Sequence, residues 1–168
     1  MNDQLLFPEQ ERTSLRIICI LLSAGIVLLS FVAVLVPLAG SGTHGTSPST
    51  MAILRLIHFA ITLIAVVLQK YLYDRMLSGK IKTRAAFGTT MTFGRKYLIA
   101  TIVRLAILEG ASLSGLIVLM AGTIAGSVKD DPTYYLHLIP VVLLLAAAWV
   151  SYPSEGRVGE LTREYQAV

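Results

Sequence analysis

The sequence predicts an all-α polytopic membrane protein, an antiparallel bundle of four transmembrane helices. Three observations predict it. Of the 168 residues 55% are hydrophobic and only 14% charged, where an ordinary soluble domain carries roughly 25% charged residues. Four apolar runs reach the ~20 residues that a helix needs to cross the hydrocarbon of a bilayer. The Lys and Arg of the connecting segments also crowd into one loop, the asymmetry that orients membrane proteins with their basic loops inside.

The chain opens on a polar stretch of mixed charge, MNDQLLFPEQERTSLR. A secretory signal would need a basic start, a short apolar core and a small-residue cleavage site, and this stretch lacks that order. The first span is expected over residues 15–38, with Ser23, Gly25, Ser30 and Ala33 as small residues that permit close helix contact. Pro37 and the segment AGSGTHGTSPST, which has neither Lys nor Arg, end it. The second span is expected over 50–73, with Ser49 or Thr50 as N-cap after Pro48. Next comes the basic loop, with Arg75, Lys80, Lys82, Arg84, Arg95 and Lys96 against Asp74. It belongs in the cytoplasm, beside anionic headgroups, and a nucleic-acid role is excluded for want of a soluble basic fold.

The third span is expected over 97–121 and the fourth over 133–151. Asp131 followed by Pro132 reads as an N-cap and a first-turn proline, and Pro140 as a kink two turns further in. Tyr134, Tyr135, Trp149 and Tyr152 match interfacial aromatic anchors. Residues 152–168 form a polar tail, with a short helix expected from Pro153. Both termini then lie in the cytoplasm, and the whole chain is one membrane domain. The single cysteine, Cys19, excludes an internal disulfide and reads as a packing residue.

Ionisable and polar residues inside the spans carry what chemistry there is. In the second span Arg55, His58, Thr62, Gln69 and Tyr73 fall within roughly a 60° sector at 100° per residue. Two uses are open to such a stripe, a polar seam that joins helices or the wall of a polar cavity. The third span carries Arg104 and, near its middle, Glu109. A charge there costs roughly 2.5–3.5 kcal/mol on the insertion scale, so Glu109 needs a partner. The reading is a protonatable carboxyl bonded to a neighbouring helix, with His58 favoured over Arg55 on depth. Arg104 points about 140° away from Glu109 and is expected to meet a carbonyl, an acidic group or a lipid phosphate. Two small-residue rows, Ala106–Gly110–Ser114 and Ala111–Gly115, allow another helix to approach closely.

His58 and His137 come from two helices that start on the same side, a pairing that suits axial ligation of a haem b. His44 in the outer loop has no supporting ligands, and no metal or nucleotide motif occurs. No catalytic constellation is identified; an enzyme acting on lipophilic substrates would have to use Glu109 with His58.

The stretch RLAILEGASLSGLIVL, Arg104 to Leu119, is similar to the carboxylate-bearing helix of rotary ATPase proteolipids, which implies that Glu109 carries an ion. The similarity covers one helix. The second half of the chain resembles a group of uncharacterised four-span bacterial inner-membrane proteins. It does so through Arg104-x-x-x-x-Glu109-Gly110 and the ending Pro153, Ser154 and Arg157. That resemblance implies a bacterial inner-membrane location and no activity. The expected function is a small, non-enzymatic accessory or structural subunit with a buried protonatable Glu109, partnered by the lipid bilayer and by its own copies or a membrane complex. The alternative is a haem b or quinone-binding redox anchor using His58 and His137.

Overall fold

Residues 8–39, 47–78, 93–154, 156–158 and 160 are described by the computed structural model. His44, the basic residues Lys80, Lys82 and Arg84, and the tail beyond residue 160 lie outside the described residues. Every regular element among the described residues is helical: α1 (Glu9–Ala39), α2 (Pro48–Leu77), α3 (Phe93–Ile124), a single turn α4 (Ser127–Asp130), a 3-10 helix (Pro132–Leu138) and α5 (Ile139–Ser151). Four of the stretches are long and apolar enough to span a bilayer, the fourth being the 3-10 helix and α5 together.

The helices overrun the expected spans at their ends. α1 begins six residues before the expected span, behind Pro8, with Glu9 and Glu11 in a first turn whose free N–H groups favour acidic side chains. Ser47, rather than Ser49 or Thr50, caps α2: its Oγ accepts from the Thr50 N–H at 3.3 Å, and Pro48 takes the first turn, where no N–H is needed. α3 extends four residues ahead of the expected span and three beyond it. After Pro153 the tail does make a helical turn at 156–158. Ser154 anchors it, its Oγ accepting from the Arg157 N–H at 3.4 Å and its carbonyl from the Val158 N–H at 3.0 Å.

α3 is the centre of the bundle. It packs against α1, α2 and α5, whereas α1 and α2 share no extensive contact and α1 meets α5 along a second seam. The core is built from Leu15, Cys19, Ile26 and Ala33 of α1, Leu105, Leu108, Leu116 and Leu119 of α3, and Val141, Leu144 and Ala147 of α5. α1 and α2 turn most of their apolar surface outward, including Leu28, Phe31, Leu56 and Leu63. In a bilayer that costs nothing, because acyl chains are as apolar as leucine.

The fourth span departs from an uninterrupted helix. Asp131 caps it as expected, its carboxylate accepting from the Thr133 N–H at 2.9 Å, but Pro132–Leu138 is wound as a 3-10 helix. Pro140 has no N–H to continue the winding and stands in the first turn of α5, so the expected kink is a change of helix type. With three residues per turn, Asp131, Tyr134, His137 and Pro140 form one row. Tyr134, His137 and Pro140 of that row are buried.

Candidate functional site

Four of the five stripe residues of α2 contact α3 or the start of the fourth span and the fifth, Thr62, bonds His58, so the stripe is a seam between helices. It divides into three groups, named outer, middle and inner in order from the N-terminal end of α2.

At the outer end Arg55 donates to the Asp131 carboxylate at 2.7 Å and to the Thr133 hydroxyl, and its guanidinium lies 4.6 Å from the centre of the Tyr134 ring. Asp131 stands just outside the span. Its carboxyl is pushed down to about 2, chiefly by the Thr133 hydroxyl, then by the Thr133 N–H and by Arg55. Three donors on one carboxylate, one of them the Arg55 cation from α2, make this a clamp between α2 and the fourth span.

One turn deeper, His58 and His137 are both buried, with ring centres 4.7 Å apart in an edge-to-face arrangement and Phe59 closing against His137 at 4.9 Å. The Ser114 hydroxyl donates its one proton to the Ala111 carbonyl at 2.8 Å, so it accepts from His58 Nδ1 at 3.0 Å. His58 Nε2 is then the acceptor for the Thr62 hydroxyl at 3.3 Å. In the neutral ring this is the tautomer protonated at Nδ1. His137 has no hydrogen-bond partner at either ring nitrogen among the described residues. The pair meets over Gly115, where a Cβ would lie 2.2 Å from the His137 carbonyl oxygen and 2.9 Å from His58 Cε1.

These histidines do not fit a haem. A macrocycle ligated from both faces must lie between its two imidazoles, and rings in edge-to-face contact leave no layer for it. No group of three or more His, Cys, Asp or Glu able to hold a metal occurs among the described residues.

The inner group pairs Arg104 Nε with Gln69 Oε1 at 2.8 Å and sets the guanidinium 5.0 Å from the Tyr73 ring. Tyr73 in turn meets Tyr97 edge-on at 6.4 Å. Arg104 thus finds a carbonyl oxygen, as expected, and the carbonyl belongs to a side chain of the stripe. A cleft of about 170 Å³ lies beside the pair, lined by Gln69, Arg104 and apolar residues such as Leu143 and Ala147. It has the polar contacts and the room that ordered water requires.

Glu109 is brought to none of these groups. It is half-buried, and among the described residues it makes no hydrogen bond or ion pair. The His58–Ser114 and Gln69–Arg104 contacts set the antiparallel register of α2 and α3. By that register Glu109 lies at the depth of Leu63 and Ile64, which are 67% and 63% exposed and offer no polar group. The expected bond from Glu109 to His58 is therefore absent, and the pair supplies no acid–base couple. Instead Glu109 borders the outward stripe of α3, formed by Ile102, Ala106, Gly110, Leu113 and Ile117. A Cβ added at Gly110 meets nothing within 4 Å.

Of the two small-residue rows, Ala111–Gly115 is spent inside the bundle and Ala106–Gly110 is turned outward. Sequence reasoning missed Asp131, Thr133 and Tyr134 as members of the seam. The 3-10 winding that aligns Tyr134 with His137 is not written in the local sequence, so no signal there would have found them. No protein-family model, curated protein or solved structure matches the chain.

Proposed function

We propose that the protein is a non-enzymatic structural or accessory subunit of the bacterial inner membrane that assembles through the outward face of α3. One observation carries the reading: Glu109, at the midpoint of a spanning helix, has no hydrogen-bond or ion-pair partner among the described residues. An ionisable group at that depth is costly unless it is bonded, and the Ala106–Gly110 surface lets another backbone come close enough to bond it. The occupant is a second copy of the chain. A two-fold axis along the membrane normal sets the two Glu109 carboxyls at one depth, where a shared proton joins them. Arg55, His58, Gln69 and Arg104 are engaged within the bundle, which supports a structural role over a catalytic one.

Cross-linking of Gly110→Cys in native membranes, with molar mass measured after mild solubilisation, tests this. A dimer is expected, kept in Glu109→Gln, whose amide still bonds across the axis, and weakened by about 1–2 kcal/mol in Glu109→Leu. Gly110→Ile should abolish it by filling the gap. A chain that stays monomeric in membranes, or a dimer indifferent to Gly110→Ile, overturns the proposal.

A further inference from the structure

Where α1 begins and α5 ends, the two helices leave a cleft of about 620 Å³, within the roughly 300–1,000 Å³ of small-ligand sites. Its lining is mostly apolar and is kept open by small side chains, Cys19 and Ser23 on α1 and Ala148 on α5. Trp149, 85% exposed, stands at its edge, and Tyr152 and Ser154 make its polar end. Arg16 lies one turn before Cys19, on the same face of α1. Its Nη2 reaches the Pro153 carbonyl only at 3.5 Å, and its Nε is buried with no hydrogen-bond partner. Among the described residues it has no carboxylate partner. Arg12 and Arg157 nearby do have one, Glu9 at 3.9 Å and Glu160 at 3.1 Å.

An apolar trough that opens sideways, ends in hydroxyls and has, one helical turn from Cys19, a guanidinium that no described carboxylate neutralises has the chemistry of one ligand class. We infer that the α1–α5 cleft binds a single anionic glycerophospholipid, with an acyl chain along Cys19, Ser23 and Ala148 and the phosphate on Arg16. The guanidinium fork matches phosphate oxygens better than an ammonium does, and the tyrosine and serine hydroxyls are available to the headgroup. The site is independent of the α3 face, which lies on a different helix.

Native mass spectrometry of the full chain, exchanged into equal amounts of phosphatidylglycerol and phosphatidylcholine, tests the inference. One phospholipid should be retained per chain, with phosphatidylglycerol favoured by about fivefold or more. Arg16→Gln should bring the ratio to near one while Arg16→Lys keeps most of the preference. Ala148→Leu, which fills the trough, should lose both lipids with helix content unchanged by circular dichroism. Soluble glycerol phosphate should not displace the lipid. Equal retention of the two lipids by the wild type, an undiminished preference in Arg16→Gln, or full retention in Ala148→Leu would each overturn it. If Arg16→Gln does not fold, Arg16→Lys and Ala148→Leu still decide.

Discussion

Two glycines of α3, five residues apart, have opposite meanings. At Gly115 an added methyl meets a backbone oxygen at 2.2 Å, and backbone cannot swing aside as a side-chain end can. Gly115→Ala is expected to cost about 1–3 kcal/mol by overpacking and to part the His58–His137 contact. Gly110→Ala is expected to leave the bundle unchanged, since nothing lies within 4 Å. Thermal unfolding of the two variants in one detergent checks the contrast, and equal midpoints would contradict it. Both glycines were visible in the sequence as members of small-residue rows. Which row faced inward was not, because that depends on where His58 and the His137 carbonyl arrive from other helices.

At the scale of the element, the Arg55–Asp131 clamp has a defined pH range. The Asp131 carboxyl is lowered in the folded state to about 2 from an ordinary 3.8. Its stabilising effect is therefore complete above the ordinary value and is lost as pH falls toward 2. Amide exchange in the 3-10 helix should be protected equally from pH 5 to 8, after correction for intrinsic rates. Asp131→Asn should raise it throughout that range. Protection that collapses already at pH 5 would show that Asp131 is not the fastening group.

The fourth span also shows how far periodicity could be trusted. The Asp131–Pro132 start was legible, being local chemistry. The winding was not, because a 100° period sets Asp131, Tyr134 and His137 progressively off one line, whereas a 3-10 helix aligns them. The expected partner of Glu109 failed in the same way: the seam on α2 was found, but the register that sets Leu63 and Ile64, both turned outward, at the depth of the carboxyl is a tertiary property.

For the whole molecule, four spans and their antiparallel order followed from apolar run length and the Lys/Arg asymmetry of the loops, and the structure has four such helices. The orientation across the membrane rests on the basic residues between α2 and α3, which supports cytoplasmic termini. Cysteine introduced at His44 should react with an impermeant maleimide in intact cells, and cysteine at Lys80 only after lysis. Labelling of the Lys80 position from outside would reverse the topology. Membrane thickness bears on the span lengths too. The 20 residues of the fourth span rise about 34 Å with a 3-10 start, against about 30 Å as pure α-helix.

The helix that touches all three others is third in the chain, and this has a consequence for synthesis. While the ribosome makes α1 and α2, neither has much of the other to hold, and Arg55, His58 and Gln69 enter the bilayer without their eventual partners. Gln69 and His58 are relieved only when α3 emerges, and Arg55 only when Asp131 follows it. A nascent chain halted before Phe93 is thus two loose hairpin legs bearing polar groups in lipid, the kind of substrate that membrane quality-control proteases remove. Pausing of translation ahead of α3 would decide how much of the protein survives its own insertion.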